Sequence, residues 1–133
     1  MKRKRILLVE DHADILEMLS IVLSDKFDVS SCSSAADALT LLDKAKPDLL
    51  VLDVVMSPIG GLQCLEAIRA RPGYHDIPAV ALTALAYDIE KHEMLAAGFQ
   101  SVVVKPLYDE RELLDVIDSL LLPDLMADGT VWS

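Results

Sequence analysis

Cysteine is scarce in this chain. Cys32 and Cys64 are the only two in 133 residues, without CxxC spacing, so no disulfide or thiolate framework can be built from them. A reduced, cytoplasmic setting is the natural expectation, with both thiols serving as small packing residues. Positive charge is also in short supply: 12 Lys and Arg against 22 Asp and Glu leave a net charge of -10. That balance excludes the basic footprint a phosphate backbone requires, so no direct nucleic-acid partner is expected. The basic start Lys2-Arg3-Lys4-Arg5 reads as a solvated lead-in to the first strand. Long apolar runs are missing too. The first, Ile6 to Val9, is cut by Glu10-Asp11 and is too short for a signal-peptide core, and no stretch reaches bilayer-spanning length. No membrane insertion is expected. What is present is 53% hydrophobic and 26% charged residues, the balance of one well-filled globular domain.

Apolar runs of about four residues alternate with longer segments of helical period, the pattern of a parallel sheet covered by helices on both faces. Ile15, Leu16, Met18, Leu19, Val22 and Leu23 form the stripe of a first helix beginning near Asp14. The second strand, around Phe27 to Ser31, alternates apolar and polar, which predicts an edge. Ser34-Ala35-Ala36-Asp37 resembles a capping box and opens the second helix, with Ala38, Leu41 and Leu42 inward. Pro47 and Pro78 lead into the third and fourth strands, and a third helix from about Leu62 to Ala70 stops before Pro72-Gly73. A fourth helix from about Asp88 to Ala97 ends at Gly98, the residue suited to a left-handed cap. A fifth starts within Asp109-Glu110-Arg111-Glu112 and is closed by Pro123. The sum is a three-layer α/β (βα)5 sandwich whose right-handed crossovers favour strand order 2-1-3-4-5, with a domain over 1–122 and a frayed tail over 123–133 that includes Trp132.

Four of the apolar runs are each followed at once by polar chemistry: Glu10-Asp11, Asp53, Thr83 and Lys105. In an open α/β sheet, ligands bind beyond the carboxyl ends of the strands beside the switch point between strands one and three. Three carboxylates converging there repel one another, and a hard divalent cation resolves the conflict. Mg²⁺ suits such oxygen donors and keeps room for a phosphate, with Asp11 and Asp53 as direct ligands and Glu10 acting through water. Asp53 ends the central strand and is the best candidate nucleophile. Lys105 and Thr83 could stabilise the transferred oxygens. Taken singly, an acidic pair is more often a helix cap, and a lone Thr83 or Lys105 is more often structural. All five at strand ends of one sheet outweigh those readings.

These residues stand in text that resembles the receiver domain of two-component response regulators. The similarity runs from about residue 5 to 121 through Ile6-Leu7-Leu8-Val9-Glu10-Asp11, Pro47-Asp48-Leu49-Leu50-Val51-Leu52-Asp53-Val54-Val55-Met56, Gly61-Leu62, Ala81-Leu82-Thr83-Ala84, Ala97-Gly98-Phe99 and Lys105-Pro106. The resemblance implies a flavodoxin-like fold and a phosphorylation-dependent signalling switch rather than an enzyme proper. A histidine kinase or histidine phosphotransfer protein would donate a phosphoryl group to Asp53, and an unknown downstream protein would read the result. It implies Mg²⁺ held by Asp11, Asp53 and the Val55 carbonyl, with Glu10 nearby, and contacts from Thr83 and Lys105 to the aspartyl phosphate. A switch region of Thr83, Ala84, Val102, Lys105 and Pro106, with a cis Lys105-Pro106 peptide, belongs to the same expectation.

The chain departs from the family pattern at Val102, where receivers often carry an aromatic residue that swings inward. Valine is stiff at χ1 and has no ring to bury, so an aromatic-rotation switch is not expected. Gln100 and Ser101 replace the acidic residues typical of transcription-factor receivers, so the salt-bridged dimer of that subgroup is not predicted. The stretches Leu82-Thr83-Ala84-Leu85-Ala86 and Ala97-Gly98-Phe99-Gln100 resemble receivers of hybrid histidine kinases. Val55 and Leu85 flank the path of attacking water in receivers. Both are apolar, which predicts slow self-dephosphorylation. An aspartate-dependent phosphatase lacks support because Val55 stands where its second aspartate belongs. A receiver-like scaffold unused as a phosphoacceptor is the competing reading. His12 is read as solvated, His75 and His92 as lacking metal-ligand partners at useful spacing, and Met18, Met56 and Met94 as core or interface filler.

Overall fold

Residues 3–55, 60–84, 88–105 and 111–127 are described by the computed structural model, with 88–90 and 122–127 as backbone only. Strands and helices alternate as β1 (Arg5–Val9), α1 (Ala13–Ser24), β2 (Asp28–Cys32), α2 (Ala35–Ala45), β3 (Leu49–Asp53), α3 (Gly61–Arg69), β4 (Ala79–Thr83), α4 (Asp88–Ala96), β5 (Ser101–Val104) and α5 (Arg111–Ala127). All pairings are parallel, in the order β2-β1-β3-β4-β5. The chain reverses direction of sheet growth between β1 and β3, as expected.

Alternation along each strand divides the core. Leu7, Val9, Leu50, Leu52, Ala79 and Ala81 face α2, α3 and α4 through Leu42, Leu65, Ile68 and Met94. Ile6, Leu8, Leu49, Val51, Val80 and Leu82 face α1 and α5 through Leu19, Leu23, Leu113 and Ile117. Because both faces are covered, β3 is buried along its whole length and reads as an apolar run, Leu49 to Leu52, ended by Asp53. Each fully buried leucine or isoleucine here contributes roughly 1.5–3 kcal/mol. β2, paired only with β1, keeps Asp28 and Ser31 exposed, which accounts for its polar alternation.

Helix ends follow the local chemistry. The Ser34 hydroxyl accepts from the Asp37 N–H at 3.1 Å, capping α2. Beyond α4, Gly98 takes φ +110°, a left-handed conformation that side chains rarely adopt. One expectation fails: Pro123 does not close α5, which continues to Ala127. Proline has a helical φ, and within a helix it removes only its own hydrogen bond while crowding one carbonyl, so a helix can run through it at a cost.

Candidate functional site

The carboxyl ends of β1, β3, β4 and β5 sit side by side because their registers are stepped. Val9 pairs with Leu52, Asp53 with Leu82, and Thr83 with Val104. Backbone bonds extend the ladder past the strand ends: Glu10 N–H donates to Cys32 O (3.1 Å), Val54 N–H to Leu82 O (2.9 Å) and Lys105 N–H to Thr83 O (2.6 Å). The sheet itself therefore delivers Glu10, Asp53, Thr83 and Lys105 to one edge.

Glu10, Asp11 and Asp53 each offer a carboxylate oxygen within 4.8 Å of the others. Glu10 is fully buried and Asp53 nearly so, while Asp11 is exposed at the rim. Lys105 reaches inward with Nζ 2.8 Å from Glu10 Oε1 and 3.4 Å from Asp53 Oδ1. The second Glu10 oxygen accepts from the His12 N–H at 3.2 Å. Asp53 Oδ1 accepts from the N–H of Val55 at 3.2 Å, and the Val55 side chain stands exposed. The pairing of Glu10 with Lys105 is a finding that the sequence did not foretell.

Burial and neighbouring charge drive the two buried carboxyls in opposite directions. Burial, then the hydrogen bond and charge of Glu10, push the Asp53 carboxyl up to about 7. Glu10 goes the other way. Burial acts to raise it, but hydrogen bonds from Asp53, Lys105 and the His12 N–H outweigh burial and hold it below the usual carboxylate range. Lys105 is raised because its two carboxylate partners outweigh the effect of its own burial. Without a cation, Asp53 thus keeps its proton to higher pH than an ordinary aspartate does.

The remaining candidates divide. Thr83 is fully buried at the end of β4, with Ala84 exposed just after it. Val102 is half-buried in β5 and packs against the core on the α2–α3–α4 side. Leu85, Pro106 and Met56 lie outside the described residues, and with them the Lys105-Pro106 peptide. His12 is exposed, as expected; His75 and His92 are exposed too, with His75 Nδ1 2.8 Å from Arg69 O.

Gly61 matters in a way the sequence only hinted at. A Cβ on Gly61 would strike the Asp53 carbonyl oxygen and stand 2.9 Å from Val54 Cα, and the Gly61 N–H donates to Val54 O at 2.9 Å. The start of α3 therefore lies directly on the backbone that carries the Asp53 side chain. Gly61→Ala is expected to cost about 1–3 kcal/mol by overpacking. It should also weaken cation binding, because the β3–α3 connection must move. Urea unfolding and a Mg²⁺ titration of the variant check both effects.

The comparisons with known proteins agree with this geometry. The sequence profile of the response regulator receiver domain matches residues 6–118. A 14.6 kDa protein of Leptolyngbya boryana is 33% identical over 118 residues, 88% of this chain and 89% of its own length. The DNA-binding response regulator MtrA of Mycolicibacterium paratuberculosis is 34% identical over 113 residues, 84% of this chain. The chain spans about half of MtrA, 48% of its length. Among solved structures, the chemotaxis protein CheY4 of Vibrio cholerae superposes with a TM-score of 0.82 at 28% identity, over 88% of this chain and 98% of its own.

Proposed function

The chain belongs to the response regulator receiver domain family of two-component signalling, and from that premise we propose that it is a phosphorylation-dependent switch with Asp53 as the phosphoacceptor. The observation that carries this reading is the buried Asp53 carboxyl, placed 3.4 Å from the Lys105 ammonium at the edge where four strands end. A carboxylate oxygen of Asp53 attacks the phosphorus of a phosphohistidine on a histidine kinase or histidine phosphotransfer protein. The P–O bond forms as the P–N bond breaks, and the electron pair of that bond returns to the imidazole nitrogen. Lys105 offers a cation to the transferred oxygens, and Thr83 offers a hydroxyl at the end of β4. The free, buried thiols of Cys32 and Cys64 fit a reducing cytoplasm.

The donor set suits Mg²⁺. Three oxygen-bearing carboxylates within 4.8 Å, one of them pushed up first by burial and then by its acidic neighbour Glu10, make a site for a hard divalent ion. Asp11 and Asp53 would hold it together with the Val55 carbonyl, and Glu10 would act through water. Bound there, the ion would keep Asp53 ionised and offset charge on the phosphoryl oxygens.

Mg²⁺ binds the native cluster and not the unfolded chain, so saturating metal should stabilise the protein by roughly 1–3 kcal/mol. Thermal melts with and without Mg²⁺ test the site. No shift, or an equal shift in Asp11→Ala, would count against it. The affinity should also rise with pH up to about 7, because Asp53 must lose its proton to bind.

Lifetime is set by side chains that cannot orient water. Val55 is apolar and exposed beside Asp53, and the residue two beyond Thr83 in sequence is the apolar Leu85. In-line attack then lacks a polar side chain to position the nucleophile, and the aspartyl phosphate should decay slowly. A Val55→Asn, Leu85→Glu double variant should decay about tenfold faster, a barrier change of roughly 1.4 kcal/mol. Decay of the parent chain within seconds, or no acceleration in the variant, would refute the idea.

A further inference from the structure

Pro123 stands inside α5, and proline has no backbone N–H, so the Ser119 carbonyl one turn earlier lacks its α-helical donor. Ser119 lines a cavity of about 280 Å³ between α5 and the start of β5, together with Gln100, Ser101, Asp115, Val116 and Leu120. Val116 and Leu120 are apolar and half-buried, whereas Asp115 and Ser119 are exposed. β5 is the last strand of the sheet, so this cavity lies on an open flank. Its wall at Gln100 is firmly built. The Gln100 side-chain oxygen accepts from the Ala79 N–H at 2.7 Å and from the Arg69 guanidinium at 3.2 Å, and the Gln100 N–H donates to Ala79 O at 2.9 Å. The same guanidinium donates to Gly98 O and Ile77 O, each at 2.8 Å, and a Cβ on Gly98 would strike it.

The cavity thus presents an apolar patch beside a carbonyl that has lost its helical donor. An indole meets both demands, since it is an apolar ring with one N–H donor. The volume suits one such side chain and falls short of the sites that hold drug-sized ligands. The chain has one tryptophan, Trp132, and it follows on this same helix. α5 ends at Ala127, and Leu120 lies about 10 Å back along the helix axis from there. Asp128-Gly129 is a turn dipeptide, and the Thr130-Val131-Trp132 that follows is made of residues that favour extended backbone. Residues 130–132, returning at roughly 3.3 Å each, cover about 10 Å and bring Trp132 level with Leu120.

We propose that residues 128–133 fold back on α5 and that the Trp132 indole occupies this cavity, its ring on Val116 and Leu120 and its N–H donating to the Ser119 carbonyl. The segment is then an intramolecular cap on the flank formed by α5 and β5, and a partner that uses this flank must displace it. The cap is independent of phosphorylation at Asp53.

Because Trp132 is the one tryptophan, the intrinsic fluorescence of the intact chain reads its surroundings alone. The parent chain should emit to the blue of N-acetyltryptophanamide in the same buffer and be quenched by acrylamide about threefold less than that free amide. Ser119→Lys, a change at an exposed helix position, and Leu120→Lys should both return emission and quenching to the values of the free amide, with far-ultraviolet circular dichroism showing the fold intact. Pro123→Ala gives the Ser119 carbonyl a helical donor again and should move the quenching part of the way. Shielding of an intramolecular cap should also persist through about a hundredfold dilution. Free-amide values in the parent chain would overturn the cap, and loss of shielding on dilution would place the indole on a second copy instead. Shielding that survives Ser119→Lys would overturn its place in this cavity, and shielding unchanged in Pro123→Ala would overturn the Ser119 carbonyl as its acceptor.

Discussion

Asp53→Asn should take up no phosphoryl group and yet be more stable than the parent chain in metal-free buffer at pH 8, by roughly 2–4 kcal/mol. The two effects have one origin. The carboxylate proposed to attack phosphorus is the one that folding forces close to Glu10 and Asp11. Its pKa rises from 3.8 to about 7 through burial first and then through Glu10. The native state therefore binds a proton that the unfolded chain releases between those pH values. Stability from this group is fully present below pH 3.8 and is lost as pH rises through about 7, a span worth about 4 kcal/mol by linkage. Asparagine keeps the shape and the hydrogen-bonding capacity of the protonated acid at every pH. The variant and the parent should converge near pH 4 and separate toward pH 8, and Mg²⁺ should narrow the gap by stabilising the parent alone. Urea unfolding across that range measures it, and a variant less stable than the parent at pH 8 would contradict the electrostatic account.

Lys105→Ala should behave in the opposite sense. Its ammonium is the cationic partner of Glu10, whose side chain is fully buried, and removing one member of such a pair leaves an uncompensated charge. The expected loss is about 3 kcal/mol at pH 8 without metal. It should shrink toward pH 5, where the carboxylates can neutralise by taking up a proton. Because the ammonium is not a metal ligand, Mg²⁺ should still bind and should recover much of the lost stability. The response to phosphorylation should nevertheless be poor, since the group proposed to meet the phosphoryl oxygens is gone. Calorimetric Mg²⁺ titration with melts at both pH values separates these effects, and loss of metal binding would require a different role for Lys105.

Much of this was legible in the sequence because strand ends are chemically abrupt. A buried parallel strand is apolar throughout, so the first polar residue after it, as at Asp53 or Lys105, marks the sheet edge without any knowledge of contacts. The alternation of Phe27 to Ser31 likewise announced an edge strand before its pairing was known. What stayed hidden was pairing across the sheet. Glu10 and Lys105 are 95 residues apart, and nothing local distinguishes a lysine that meets a buried glutamate from one that waits for phosphate. Arg69 was hidden for the same reason, since three acceptors from two distant segments define it. Gly61 and Gly98 carried faint signals, as glycines beside a site loop and after a helix, but only backbone proximity says what each makes room for. The helix through Pro123 was misread because proline was treated as a stop, whereas its cost is one hydrogen bond and a local clash.

The central claim is that Asp53 accepts a phosphoryl group, and intact-mass measurement after incubation with Mg²⁺ and a small phosphodonor tests it most directly. The parent chain should gain the mass of a single phosphoryl group, lose it on treatment with hydroxylamine as an acyl phosphate does, and gain nothing when Mg²⁺ is chelated or Asp53 is replaced by asparagine. A parent chain that stays unmodified, or an Asp53→Asn variant modified to the same extent, would contradict the account and leave the fold as a binding scaffold.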